Sequence, residues 1–124
     1  MASFGYFKRD LNQVLFEGDS FYREVILNRP TKLNSLNYEM ISQMLKKFRD
    51  FEMDSTVKFV ILKGNGKAFC AGGDIVSVVG SIITGSWSFG ARFYENQLTL
   101  DYLLATYRKP LKCLARWIVF SCRC

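Results

Sequence analysis

The feature that most constrains this fold is a short apolar run, Phe59–Leu62, that leads into a glycine-rich loop. The run has the sequence FVIL, and the loop after it contains KAFCAGGDI, from Lys67 to Ile75. A continuous apolar run is typical of a strand covered on both faces, as in a sheet with helices packed against it. We therefore expect Ala71–Asp74 at the carboxyl edge of a sheet, where open α/β folds place their ligands.

A hairpin and a helix are predicted before this run. Two apolar stretches, Asn12–Glu17 and Phe21–Leu27, flank a Gly-Asp turn and predict paired strands. Asn37–Phe51 has apolar residues at three- and four-residue spacing, which predicts an amphipathic helix capped by Asn37. The stripe that we expect to face the core consists of Met40, Ile41, Met44, Leu45, Phe48 and Phe51.

A second helix is predicted over Phe89–Tyr107, and it must end near Lys109 because Pro110 follows. Its predicted core face carries Phe93, Leu100, Leu104 and Tyr107. The order of strand, strand, helix and strand indicates an α/β fold.

Composition narrows the class of protein. The chain has 124 residues, of which 49% are hydrophobic, and this suits one globular domain. Half of the net charge of +6 lies in residues 111–124, and no basic stripe is interleaved with aromatic residues, so we predict no nucleic-acid partner. No segment approaches the roughly 20 apolar residues of a membrane span, so we predict no membrane partner either.

The cysteines argue against a metal site. Three of the four lie in the last twelve residues, the chain has no histidine, and no C-x2-C pair is present. A disulfide framework would be distributed through the fold, so the pattern points to a reducing compartment. We expect a soluble intracellular protein, and no address distinguishes mitochondrial, peroxisomal and cytosolic locations.

The glycine loop has two interpretations from its residues alone. Glycines let a ligand approach the backbone and let an N–H point outward, where it can stabilise a carbonyl oxygen that gains charge. The alternative is an ordinary turn at a strand end, with Asp74 as a helix cap. Cys70 could be a nucleophile, but without a histidine to act as its base a buried small hydrophobic residue is the favoured interpretation.

Two longer stretches resemble a known family. VILNRPTKLNSLNYEMISQMLKKFRDFEMDSTVKFVILKGNGKAFCAGGDI resembles the crotonase (enoyl-CoA hydratase/isomerase) superfamily, and FYENQLTLDYLLATYRKP resembles its 3-hydroxyisobutyryl-CoA hydrolase branch. The resemblance implies an α/β fold of ββα turns wound in a spiral, of which this chain would form the N-terminal part. It also implies an acyl-CoA substrate, with coenzyme A as part of the substrate and no separate cofactor, and a homo-oligomer or pairing with full-length subunits.

The same resemblance assigns roles to individual residues. Gly73 follows Ala-Gly and would supply the first oxyanion N–H, which makes it the expected catalytic residue. Lys32 would meet a CoA phosphate, with a plain surface lysine as the alternative, and the backbone around Leu33 would contact the adenine. The other residues expected to line the channel are Ala71, Gly72, Asp74 and Ile75.

Beyond Pro110 the sequence departs from the family pattern. The family continues with a second glycine-rich segment, which supplies the other oxyanion N–H, and then with the carboxylates of hydrolysis. Residues 111–124 contain neither feature. We therefore expect residues 1–110 to be the N-terminal part of a crotonase-like acyl-CoA domain and residues 111–124 to be a divergent tail.

One substitution inside the matching region bears on activity. The hydrolase branch has a glutamate on the helix before Lys-Pro, and by spacing Gln97 takes its place; an amide can hydrogen-bond but cannot act as a base. We expect a member of the hydrolases that cleave 3-hydroxyisobutyryl-CoA in valine catabolism, without measurable turnover in this chain. The alternatives are an enoyl-CoA hydratase or isomerase, and a non-catalytic protein that binds CoA or pairs with intact subunits.

Overall fold

The sheet has four strands in the order β1-β2-β3-β4. The structure is a computed structural model that describes residues 13–73, 79, 83, 85 and 87–114. Strands β1 (Val14–Gly18) and β2 (Tyr22–Leu27) form an antiparallel hairpin, which confirms the predicted turn. Strands β3 (Phe59–Gly64) and β4 (Leu111–Leu114) extend the sheet in parallel from β2.

Helix α1, Tyr38–Met53, connects β2 to β3 and covers the sheet. The Asn37 side chain accepts a hydrogen bond from the Met40 N–H at 2.9 Å, so the predicted cap is confirmed. All six residues of the predicted apolar stripe are buried, because that face belongs to the core that α1 shares with β1, β2 and β3. The connection between parallel strands through a helix is the usual βαβ solution.

Strand β3 is central, but it is not buried on both faces as its apolar run predicted. Val60 and Leu62 are buried, whereas Phe59 and Ile61 are only half-buried. Val60 and Leu62 belong to the core formed with the two helices, and the described residues supply no helix for the opposite face. The apolar run therefore correctly predicted a strand, but the prediction that both of its faces are buried was wrong for the described residues.

Helix α2, Trp87–Ala105, packs against α1 and ends two residues before the predicted end. Phe93 and Leu100 are buried, and Leu104 and Tyr107 pack on the core at its margin. The segment between α2 and β4 is bound to the end of α1: Tyr107 Oη donates to the Phe48 carbonyl, and Lys109 Nζ donates to the carbonyls of Phe51 and Asp54. The carbonyls of Phe51 and Asp54 lie at the end of α1, where a helix leaves its carbonyls without an intrahelical donor.

The Tyr107 hydroxyl gives a direct test of this docking. Burial raises the pKa of Tyr107 above its ordinary range, so the phenol stays a donor at physiological pH. Tyr107→Phe keeps the edge-to-face contact with the Phe48 ring and removes only the bond to the Phe48 carbonyl. We expect a loss of about 1 kcal/mol in the free energy of unfolding, measured by urea titration. An unchanged midpoint would show that this bond does not hold α2 to α1.

Cys70 is free, whereas Cys113 is disulfide-bonded. The cysteine pattern had indicated a reducing compartment, where disulfides are rare, so it did not predict the bond of Cys113. Within the described ranges, no helix has the length and apolar character needed to cross a bilayer.

Candidate functional site

The site is built where β2 and β3 end at the same edge of the sheet. Because the two strands are parallel, the loop after Leu27 and the loop after Gly64 leave from neighbouring positions. The two loops then meet: Leu36 and Gly73 form a parallel bridge, and the Leu36 N–H donates to the Gly72 carbonyl at 2.7 Å. The predicted CoA segment and the predicted glycine loop are therefore adjacent in space.

Asn34 fixes the positions of both loops. It is fully buried, with a left-handed backbone at φ +57°. Its Oδ1 accepts from the Arg29 N–H at 2.7 Å, and its Nδ2 donates to the carbonyls of Asn65 and Ala68 at 2.7 and 2.8 Å. Gly64 lies directly against this amide: a Cβ there would meet Nδ2 at 2.8 Å and would also collide with the Phe69 carbonyl. Sequence reasoning did not single out Asn34.

The two glycines of the loop are needed for different reasons. Gly72 has φ +92°, and a Cβ there would meet no atom within 4 Å, so this position requires glycine for its backbone conformation. In the parallel bridge between Leu36 and Gly73, the Leu36 N–H donates to the Gly72 carbonyl. The Gly73 N–H takes no part in this pairing and points away from Leu36. Within the described part of the chain, the Gly73 N–H has no acceptor.

Gln97 of α2 lies beside Gly73. A Cβ on Gly73 would come within 2.5 Å of Gln97 Oε1 and 3.2 Å of Cδ and Nε2, so a larger residue here would require the Gln97 carboxamide to move. Gln97 Oε1 is buried and has no hydrogen-bond donor among the residues that the structure describes. Buried acceptors in native proteins are nearly always paired, so an acceptor without a donor among the described residues, beside the Gly73 N–H, marks a candidate ligand position.

The remaining predicted residues are at the rim or outside the described ranges. Lys32 ends a short 3-10 helix, Pro30–Lys32, and is exposed. Leu33 follows with φ 54°, and its N–H donates to the Pro30 carbonyl, so of its two backbone polar groups only the carbonyl could contact an adenine. Asp74 and Ile75 lie outside the described residues. Ala71 is exposed at the start of the loop.

The thiol of Cys70 is expected to react slowly. Burial raises the pKa of its thiol to about 11, against a smaller opposite effect from the Gly72 N–H, which donates to Sγ at 3.4 Å. At pH 8 we expect the thiolate fraction to be about 100-fold below that of an ordinary cysteine, and alkylation by iodoacetamide to be slower by at least that factor. Peptide mapping by mass spectrometry, with urea-unfolded protein as the control, measures this. Alkylation of the folded chain at the unfolded rate would contradict the burial.

The comparisons with known proteins agree with this geometry. Residues 22–120 match the model of a family described as enoyl-CoA hydratase/isomerase. The chain belongs to the enoyl-CoA hydratase/isomerase family. A solved enoyl-CoA hydratase from Rhodobacter sphaeroides superposes with a TM-score of 0.78 at 30% identity, over 83% of this chain and 31% of that one. The predicted crotonase fold is therefore confirmed for the part that this chain contains.

Relatives in the same family have two kinds of names. A probable 3-hydroxyisobutyryl-CoA hydrolase of Arabidopsis thaliana is 50% identical over 89% of this chain and 29% of its own length. The small ribosomal subunit protein mS47 of the same organism is 35% identical over 90% of this chain and 27% of its own length. The chain thus spans less than a third of the length of these two relatives. The resemblance to the hydrolase branch is confirmed.

Proposed function

We propose that this chain binds a 3-hydroxyacyl-CoA thioester, as the N-terminal part of a 3-hydroxyisobutyryl-CoA hydrolase does. The observation that carries the proposal is the free N–H of Gly73 beside the unpaired Oε1 of Gln97. The family supports the acyl-CoA class, and the 50% identical relative supports the hydrolase branch.

Each of the two groups fits one part of such a substrate. The thioester carbonyl would accept from the Gly73 N–H, which would then stabilise the negative charge that develops on that oxygen when water attacks. The 3-hydroxyl group would donate to Gln97 Oε1 and so satisfy the buried acceptor. An enoyl thioester carries no hydroxyl donor, and this disfavours the isomerase alternative. A hydratase forms a 3-hydroxyacyl thioester as its product, so the 50% identical hydrolase relative is what favours the hydrolase over that alternative.

Binding is expected to exceed turnover. Gln97 is neutral at every accessible pH and cannot take a proton from water, and a positioned general base contributes about 10²–10⁴-fold to such reactions. We therefore expect the chain to bind the thioester and to release CoA at no more than about 1% of the rate of a hydrolase that has a positioned base.

A titration and a thiol-release assay test the proposal together. By calorimetry, 3-hydroxyisobutyryl-CoA should bind more tightly than isobutyryl-CoA, which lacks only the hydroxyl, by about five- to tenfold for one hydrogen bond to a buried acceptor. Equal affinities would remove the role of Gln97, and no binding of either thioester at millimolar concentration would overturn the proposal.

Lys32 gives a separate test of the CoA orientation. Lys32→Ala should weaken binding of 3-hydroxyisobutyryl-CoA about two- to fivefold at low salt, because an exposed lysine contributes modestly to a phosphate contact. The same variant should bind the corresponding pantetheine thioester, which lacks the nucleotide phosphates, as the parent chain does. Lys58→Ala, which also removes an exposed lysine, is the matched control. Equal effects of the two substitutions would leave Lys32 a plain surface lysine.

A non-catalytic role is the second candidate. It is favoured by the amide at position 97, which provides no base, and by the relative named as a ribosomal subunit protein. Thioester binding without any thiol release would support this candidate. Release that depends on Gly73 would support the hydrolase candidate.

A further inference from the structure

Helix α2 carries a second polar residue beside the candidate site, one turn after Gln97. Gln97 and Asp101 are four residues apart, so their side chains lie on the same face of the helix. This is the face toward the core, because Phe93 and Leu100 are buried and share its spacing. Asp101 itself is exposed, at the rim where its carboxylate keeps contact with water.

Asp101 is also within electrostatic range of the glycine loop. Burial is the main cause of the raised pKa of the Cys70 thiol, and the charge of Asp101 raises it further. Cys70 precedes Gly73 by three residues, and Gly73 lies against the Gln97 carboxamide. Two successive turns of α2 therefore face the same loop, with the amide at Gly73 and the carboxylate toward Cys70.

The Asp101 carboxylate has no neutralising cation among the described residues. Burial raises its pKa, and no described cation opposes that effect. Residues 74–86, which join the glycine loop to α2, contain no lysine or arginine. The part of the site around Gln97 and Asp101, which we call the acyl end, therefore combines a neutral acceptor, Gln97 Oε1, with a negative charge one turn away.

This combination suits a positively charged donor. An ammonium group has three hydrogens to donate, so one can reach Gln97 Oε1, and the charge of Asp101 offsets part of the cost of taking the ammonium out of water. A hydroxyl group can also donate to Oε1 but gains nothing from the charge. A carboxylate at the same place has no hydrogen to donate and is repelled by Asp101.

We propose that Asp101 is a specificity-determining residue, which makes the acyl end accept a 3-aminoacyl thioester of CoA and reject an acyl group that ends in a carboxylate. The inference rests on the proposed function, since it places the thioester carbonyl at the Gly73 N–H. Carbon 3 of the acyl group then lies two bonds further on, beside Gln97. Its substituent is about one helical turn, roughly 5–6 Å, from Asp101, and two charges at that distance still interact at the edge of a protein.

Three CoA thioesters with the same carbon skeleton test the inference. 3-Amino-2-methylpropionyl-CoA, 3-hydroxyisobutyryl-CoA and methylmalonyl-CoA differ only in ending in an aminomethyl group, a hydroxymethyl group or a carboxylate. By calorimetry, the amino thioester should bind at least about tenfold more tightly than methylmalonyl-CoA, because one ligand is attracted to Asp101 and the other is repelled.

Asp101→Asn should lower this ratio of affinities at least about threefold and should change the affinity for the hydroxy thioester by less than about twofold. Glu95→Gln is the matched control, since it removes an exposed charge of the same sign from another face of α2. It should change the ratio by less than about twofold. Asp101→Asn is expected to fold, because burial disfavours the charged form that it removes. Circular dichroism checks this, and a ratio that falls in the parent chain between about 20 and 500 mM salt is a second measurement.

The possible failures are distinguishable. The inference alone is overturned if the hydroxy thioester binds while methylmalonyl-CoA binds as tightly as the amino thioester. It is also overturned if Asp101→Asn and Glu95→Gln change the ratio equally, or if salt leaves the ratio of the parent chain unchanged. If none of the three thioesters binds at millimolar concentration, the proposed function fails and the inference fails with it.

Discussion

Asn34→Ala is expected to lower the free energy of unfolding by about 3–5 kcal/mol, a large share of the roughly 5–15 kcal/mol that stabilises a domain. The substitution would leave the Arg29 N–H and the carbonyls of Asn65 and Ala68 without their partner in a fully buried position. It would also place alanine at φ +57°, a conformation that asparagine tolerates better. Urea titration followed by circular dichroism measures the loss.

Two controls separate the buried network from the loss of any asparagine. Asn65→Ala removes an exposed side-chain bond to Asn28 and should cost less than about 1 kcal/mol. Asn34→Asp keeps the acceptor for the Arg29 N–H but loses both donors, so it should destabilise nearly as much as Asn34→Ala. If Asn34→Ala costs no more than Asn65→Ala, Asn34 does not hold the two loops in place.

A comparison of Asn34 with Asn37 shows where prediction from sequence succeeded and where it failed. The Asn37 cap and the apolar stripe of α1 were predictable because their interactions lie within three or four residues along the chain. The bonds of Asn34 cross 31 and 34 residues, so no local pattern identifies them. The resemblance indicated which loops form the site, but the residue that joins them emerged only from the structure.

The glycine loop was likewise predictable only in part. The sequence predicted that a backbone N–H would be presented there, and it placed Gln97 where the hydrolase branch has a glutamate. It could not show that the two meet, because Gly73 and Gln97 are on separate elements and their contact depends on how α2 packs. That α2 packs on the core was predictable from the positions of Phe93 and Leu100; the turn of the helix that reaches Gly73 was not.

The contact between Gly73 and Gln97 leads to a prediction with a large effect that does not depend on the substrate. Gly73→Ala is expected to cost about 1–3 kcal/mol in unfolding free energy, because the new methyl group would lie 2.5 Å from Oε1. Gln97→Ala removes the obstructing carboxamide, and its own cost should be small because Oε1 has no partner to lose. The Gly73→Ala/Gln97→Ala double variant should therefore be more stable than Gly73→Ala alone.

A double-mutant cycle by urea titration measures this coupling, which we expect to be at least about 1 kcal/mol. Gly72→Ala serves as the control: its Cβ would meet nothing within 4 Å, so any cost comes from the backbone at φ +92° and should be unaffected by Gln97→Ala. Additive costs for Gly73→Ala and Gln97→Ala would mean that the two residues do not touch. Gln97 Oε1 would then not be part of the site, and the Gly73 N–H would be the one group of this pair left to orient the thioester.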